Sequence, residues 1–464
     1  MRNNDKIAVI DIGTTKVCTI IVELKQDLNF EKNIEIIPND KLKRKSLEKI
    51  NLLGVGISAS KGLANGKIGN VIDLSKQLNK SIEKAEKISN VDFSEVKKTY
   101  LGISSAKTKV NTTTGMDEIN GEVTEENIKK AIYLSKLNNK NYESEILHSI
   151  PNKYFVDNDK VSYPLDMRGK LLKIETQIIN VSKNQIANFK KVLEKNNIFN
   201  HNIILQLLAN KEAVLNDDEI EMGTLLIDIG GGTTDIGIFK EGGIEFVDIL
   251  ETGGEDFTKE IALKLQTNIY EAEKIKRNFS KLKNEKNKKI KYKDASNTSE
   301  HVKDCKEITK IIDEKIEDLI FNIKESLYDV NIEGKGVSNI VITGGGSTIS
   351  NLKEKLNEEF NLPIRVATPD EKFLEKIGNY IDKEYFNIKS NKSAFSTISG
   401  LLFMGIKDNL SSDKHELENS NKKKKIKGQN IKKDKDQKMG VLKNFFKKLD
   451  FWFDKCSKII NSFF

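Results

Sequence analysis

Two stretches of the chain share one hydrophobic pattern. Residues 224–239 read TLLIDIGGGTTDIGIF: a branched apolar run, an aspartate, a glycine triplet, two threonines, a second aspartate and a second apolar run. Residues 7–22, IAVIDIGTTKVCTIIV, repeat the order with Asp11 and a Gly-Thr-Thr turn between the runs. Short apolar runs around a glycine-rich turn predict a hairpin of two buried strands. Their recurrence about two hundred residues apart predicts an internally duplicated fold. A third glycine cluster, VITGGGS at 341–347, closes another apolar run and precedes the periodic stretch 349–356.

The turns carry candidate chemistry. Gly230, Gly231 and Gly232 leave bare backbone N–H groups that can converge on an anion, and Thr233 and Thr234 add hydroxyl donors. Gly13, Thr14, Thr15 and Lys16 offer the same from the first hairpin. Asp11 and Asp228 stand where their strands end, placed to hold Mg²⁺ through water. Gly344, Gly345 and Gly346 would let backbone approach a flat base or sugar. A plain glycine turn between strands is the alternative, but it needs neither paired aspartates nor two threonines.

Elsewhere the pattern predicts a strand at 51–58 and a core-packing helix at 74–89. Residues 99–178 read as an inserted module: a strand at 100–103, a helix at 124–137 capped by Thr124, and further strands at 146–155 and 171–179. An amphipathic helix at 184–195 leads into a connecting segment at 203–215. Beyond the second hairpin come Gly253, Gly254 and a helix at 256–265. Glu273 and Lys276, one helical turn apart, then share a face. Residues 280–303 are lysine-rich and read as a loop or short hairpin, and 308–327 is a strongly amphipathic helix. His148 has no Ser or Cys nucleophile motif beside it and reads as structural.

Composition changes the picture mainly at the end of the chain. The 464 residues are 37% apolar and 31% charged, enough for several domains with sizeable cores. Three cysteines, Cys18, Cys305 and Cys456, form no CxxC or zinc spacing and fit a reducing compartment. The N-terminal stretch lacks the apolar core of a secretory signal, and no apolar run reaches the ~18 residues of a membrane span. The net charge is +8, and the 16 lysines against 8 acids from 407 onward account for all of it. Residues 407–440, with KKKKIK and KKDKDQK, read as a disordered linker. The tail 441–464 places Phe445, Phe446, Leu449, Trp452, Phe453, Cys456, Ile459, Ile460 and Phe463 at steps of three and four. Lys447, Lys448 and Lys455 lie beside or opposite that stripe, the pattern of a helix lying in an anionic lipid interface. A core helix or a partner-groove helix is the alternative. The aromatic positions are helical rather than interleaved for base stacking, so nucleic acid is not expected.

The ordered set of three glycine motifs resembles the actin, Hsp70 and sugar-kinase superfamily. LHSIPNKYFVD at 147–157, the P-L-x-M-x-G turn at 164–169 and KLxxxxxQII at 170–179 narrow the resemblance to the bacterial cell-division family FtsA, over about 6–280 and 305–406. The resemblance implies a duplicated, actin-like (ribonuclease H-like) two-lobed α/β fold with an inserted α+β subdomain. The parts would be lobe 1 (1–97), insert (98–175), lobe 1 again (176–205), lobe 2 core (206–258), its upper subdomain (259–332), lobe 2 core (333–388) and a closing helix (389–406). It implies ATP and Mg²⁺ in the cleft, with Gly254, Glu273 and Lys276 on the ribose and base side and Gln206 near the residue that orients attacking water. Leu207 and Asn210 stand where the family usually has Pro and Ser. Lys315 aligns with an Arg of the surface that binds the C-terminal peptide of FtsZ; Lys keeps the charge and loses the bidentate fork. Self-association into filaments, later division proteins on the insert and a peripheral place on the cytoplasmic membrane at the septum are further implications, with hydrolysis slow or regulatory. The competing readings are a sugar-kinase-type phosphotransferase and a pilus-assembly scaffold of the same superfamily.

Overall fold

The computed structural model describes residues 5–25, 47–48, 50–139, 143–282, 289–296, 298–330, 336–381 and 391–409. The linker expected beyond 409, the tail 441–464 and most of the loop expected at 25–49 lie outside these residues. The chain divides into two compact units, one of Met1–Lys109 with Val181–Leu401 and one containing Val110–Asn180.

Both expected hairpins form, and each lies inside the same kind of sheet. In the first half β1 (Lys6–Ile12) pairs antiparallel with β2 (Lys16–Leu24), and β2 with β3 (Ile50–Ala59). On its other side β1 takes β4 (Lys98–Ile103) in parallel. The chain then builds the insert from β5 (Lys109–Glu122), β6 (Ser144–Val156), β7 (Asp159–Val161) and β8 (Arg168–Ser182), in the order β5-β8-β6-β7. It returns as β9 (His201–Leu205), which completes the first sheet in the order β9-β4-β1-β2-β3.

The second half repeats this topology. The strands β10 (Thr224–Ile229), β11 (Thr234–Lys240) and β12 (Gly243–Leu250) form the antiparallel part. A separate hairpin of β13 (Lys289–Lys293) and β14 (Glu300–Asp304) follows, realising the short hairpin expected in the lysine-rich stretch. Strands β15 (Asn339–Thr343) and β16 (Ile364–Val366) add in parallel, giving β16-β15-β10-β11-β12. The register makes the duplication residue-specific. Asp11 stands opposite Cys18 and Gly102, and Asp228 stands opposite Asp235 and Thr343. Strands covered on both faces by helices need unbroken apolar runs, and Ile7–Ile10 and Leu225–Ile227 are fully buried.

One boundary differs from expectation. Lys98–Ile103 was expected to open the insert, yet it pairs with β1 and β9 in the first sheet. A short apolar strand carries no local mark of which sheet it will join, because its partners lie about a hundred residues away on either side. The expected insert helix forms as Glu125–Leu137, and Thr124 and Asn127 close a reciprocal capping box. In that unit Ala131, Tyr154, Leu172 and Ile174 share a core. The long amphipathic helix is Cys305–Ser326; Ile308, Ile312, Ile316, Leu319 and Ile323 bury its apolar face against the second sheet's core.

Candidate functional site

The two hairpin turns are built alike. The Gly13 amide donates to the Lys16 carbonyl (2.9 Å), and the Gly230 amide to the Thr233 carbonyl (2.8 Å). The turns also meet each other: a Cβ placed on Gly231 would lie 2.5 Å from Thr15 Cγ2, and one on Gly232 would lie 2.9 Å from Thr14 Oγ1. The helix Gly254–Leu265 begins against the second turn, with the Gly254 and Glu255 amides donating to the Gly230 and Gly231 carbonyls. The third glycine cluster arrives at the same place. Gly344 has φ +84°, and a Cβ there would fall 1.9 Å from Asp228 Oδ1, so only glycine fits. Gly346 lies against Ile229, and the Gly345 carbonyl accepts from Asn391 Nδ2.

Both aspartates are held from one buried helix, Gln206–Val214, which follows β9 directly. Gln206 Nε2 donates to Asp11 Oδ1 (2.8 Å) and to the Ile12 carbonyl (3.2 Å). Asn210 Nδ2 donates to Asp228 Oδ2 (2.5 Å). Lys16 Nζ reaches Asp11 Oδ2 at 3.4 Å, donates to the Ala394 carbonyl at 2.9 Å, and lies 5.3 Å from the centre of the Phe395 ring. Burial pushes the Asp11 carboxyl up, against the pull of Lys16 and Gln206. Burial also raises Asp228, with Asn210 working against it and the Asp11 charge adding to it.

The other expected ligand residues divide. Glu273 and Lys276 pair at 2.7 Å, and Lys276 Nζ also donates to the Gly254 carbonyl and to Thr258 Oγ1, each at 2.8 Å. This brings the pair to the start of the helix that supports the second turn. Burial works to raise the Glu273 carboxyl, but Lys276, Thr258 and Arg277 bring it down to about 2. Thr234 is turned away, its hydroxyl donating to the Thr252 carbonyl at 2.9 Å. Lys315 lies on the Cys305–Ser326 helix and pairs with Asp318 at 3.0 Å. His148 is buried in the insert, and burial holds its imidazole down to about 3, in keeping with a structural role. The membrane-facing residues expected in the tail, Phe445 to Phe463, lie outside the described residues.

Sequence reading missed Ser104, and it noted Asp235 as the second aspartate of the hairpin without giving it a role. Ser104 Oγ, just past β4, donates to Asp235 Oδ1 at 2.8 Å, tying the first half of the fold to the second. Asp235 Oδ2 is buried with no hydrogen-bond partner among the described residues. Burial and then the neighbouring Asp228 charge push the Asp235 carboxyl up. The native state thus keeps a proton that the unfolded chain releases near pH ~4, so stability falls as pH rises above that range. Asp235→Asn is expected to flatten this fall by up to about 1.4 kcal/mol per pH unit, leaving the share due to Asp11 and Asp228. Thermal unfolding followed by circular dichroism at pH 5.5 and 8.5, without nucleotide, measures it; an unchanged slope would show that Asp235 holds no such proton.

A divalent ion suits this donor set. Two buried carboxylates with raised proton affinity gain from a nearby cation. No cluster of three or more His, Cys, Asp or Glu among the described residues forms an all-protein cage. Mg²⁺ keeps several waters and takes one or two carboxylates, which is the contribution Asp11 and Asp228 would make.

Comparison with known proteins places this geometry. A family model described as "Cell division protein FtsA" matches residues 225–397, and one described as "SHS2 domain inserted in FTSA" matches residues 103–180. The chain belongs to the FtsA cell-division family. The FtsA of Buchnera aphidicola (subsp. Acyrthosiphon pisum) is 28% identical over 431 residues, covering 90% of this chain and 95% of its own length. The FtsA of Neisseria meningitidis is 28% identical, with 86% and 90% covered, and that of Bacillus subtilis 26%, with 80% of each. Among solved structures, the PilM–PilN type IV pilus biogenesis complex aligns with TM-score 0.54 at 14% identity, over 86% of this chain and 98% of that one. MreB5 of Spiroplasma citri bound to ADP aligns with TM-score 0.50 at 15% identity, over 88% and 98%. At such identities these structures show the fold alone. It is a duplicated actin-like fold carrying the inserted FtsA subdomain, and the chain is a division protein of the actin-like superfamily.

Proposed function

We propose that this FtsA-family chain binds ATP with Mg²⁺ in the cleft between its hairpins, assembles into filaments and tethers the FtsZ ring to the cytoplasmic face of the membrane at the septum. The observation that carries the nucleotide part is the meeting of three glycine turns at two aspartates. Gly13 to Lys16 would face the phosphates from one side and Gly230 to Thr233 from the other, with backbone amides as donors. Gly344 to Gly346, Gly254, Glu273 and Lys276 would enclose the adenosine. Solved MreB5 with ADP on the same fold supports this reading. Bound Mg²⁺ would offset phosphate charge, with Asp11 and Asp228 holding its water shell.

The hydrolytic contribution of the chain is small. An amide is no base at neutral pH, and Gln206 already gives its nitrogen to Asp11, leaving Oε1 to orient a water. Nucleotide would therefore serve chiefly to close the lobes and shape the contacts between copies. The surface around Lys315 would take the FtsZ C-terminal peptide, and the insert would meet later division proteins. The tail would bind anionic lipid through its aromatic stripe.

The tether is tested by Trp452→Glu with Phe453→Glu. Full-length protein with ATP is expected to co-sediment with vesicles containing phosphatidylglycerol, and the double variant to stay in the supernatant with its ATP affinity unchanged. Pelleting of the variant would remove the tail from the mechanism.

A further inference from the structure

The crossing helix Gln206–Val214 carries two carboxamides four residues apart, hence on one face. Each amide nitrogen is given to the aspartate of a different hairpin: Gln206 to Asp11 at 2.8 Å, Asn210 to Asp228 at 2.5 Å. The two aspartates hold equivalent places in the duplicated topology, the next-to-last residues of β1 and β10. One helical turn thus spans from one half of the cleft to the other, with a donor at each end.

Asn210 does more than Gln206. Its side chain is fully buried, and its Oδ1 accepts from Thr397 Oγ1 at 3.1 Å. Thr397 lies on the helix 396–409. With a hydroxyl donating to its oxygen, the amide has only its nitrogen left for the carboxylate, so Thr397 sets which way Asn210 faces. Asn210 in turn occupies Oδ2 of Asp228, while Oδ1 lies against Gly344.

We propose that Asn210 is a positioning residue for Asp228: bridged to Thr397, it fixes the carboxylate plane, and with Gln206 it sets the separation of the two aspartates that would hold hydrated Mg²⁺ beside a nucleotide triphosphate. The proposal rests on the ATP reading above. Its consequence is specific. Losing the bridge disturbs the cation's share of nucleotide affinity and spares the glycine turns, which hold phosphate through backbone.

The test uses the full chain and titrates a fluorescent ATP analogue in Mg²⁺ and in EDTA, for wild type, Asn210→Leu, Asn210→Ala and Thr397→Val. Asn210→Leu keeps the approximate shape and loses the donor without adding a charge. In both Asn210 variants the tightening by Mg²⁺ is expected to shrink about tenfold, the scale for loss of a group that orients a metal ligand, with EDTA affinity within about twofold. Thr397→Val is expected to give a smaller loss in the same direction. An unchanged Mg²⁺ gain overturns the positioning role. Equal losses in both buffers, with a lowered melting temperature, also overturn it, because that is what a merely structural contact gives. Wild type that binds the analogue in neither buffer overturns the ATP reading itself, a result distinct from the other two.

Discussion

Gly400→Val is expected to destabilise the fold by about 3 kcal/mol or more and to weaken nucleotide binding with it. Gly400 lies in the helix 396–409, where a Cβ would fall 1.7 Å from the Ala209 carbonyl oxygen and 2.4 Å from its carbon. The obstacle is backbone of the crossing helix, not the end of a flexible side chain. The two helices must therefore move apart, beyond the close approach that glycine permits. Thr397 lies one turn before Gly400, so the shift pulls on the Thr397–Asn210 hydrogen bond. It also pulls on Ala394 and Phe395, which hold Lys16. Melting by circular dichroism, with Gly69→Ala as control, measures the effect. A Cβ on Gly69 meets nothing within 4 Å, so the control is expected to stay within about 0.5 kcal/mol of wild type. A Gly400→Val melting curve matching the control would mean that the helices do not pack this closely.

What could be read in the sequence follows from how local each signal is. The hairpins announce themselves because strand, turn and strand are contiguous. Their duplication is visible because Asp, Gly and Thr recur in one order at 11–15 and 228–234. The insert helix is likewise local, since Thr124 and Asn127 close its cap within three residues. Long-range pairings are different. Thr234 looks like a hydroxyl donor facing the turn until the Thr252 carbonyl, on the following loop, accepts its hydrogen bond. Ser104 and Asp235 are 131 residues apart, and neither suggests the other. A signal for Asp235 exists in hindsight: its partner across the hairpin is Asp228, and two carboxylates so close mark one as a proton holder. Asn210 has no known local motif to announce it. The clue to its work is the four-residue step from Gln206 within an otherwise apolar stretch, LQLLAN. Polar residues with no solvent to face must find partners, and here the partners are the cleft aspartates.

Gly231→Asp is expected to abolish ATP binding while leaving the fold intact. The Cβ position on Gly231 lies 2.5 Å from Thr15 Cγ2 and 3.6 Å from Glu255 Oε1, between the two turns. Thr15 Cγ2 ends a side chain that can swing aside, and Gly231 is not among the glycines with positive φ, so the substitution strains the backbone little. The electrostatic effect is another matter. A carboxylate here enters the space assigned to phosphate, and like charges about 4 Å apart repel by about 4 kcal/mol at an effective dielectric of 20. Loss of even about 2.7 kcal/mol is a hundredfold in affinity. Calorimetry with ATP and Mg²⁺ should therefore show no binding up to about a hundred times the wild-type Kd. The melting temperature without nucleotide should stay near wild type, and Gly231→Ala should retain measurable affinity because it adds bulk without charge. Wild-type affinity in Gly231→Asp would place the phosphates away from this turn. The three glycine clusters would then be packing devices that let two lobes and two helices touch, and the aspartates held by Gln206 and Asn210 would need another partner.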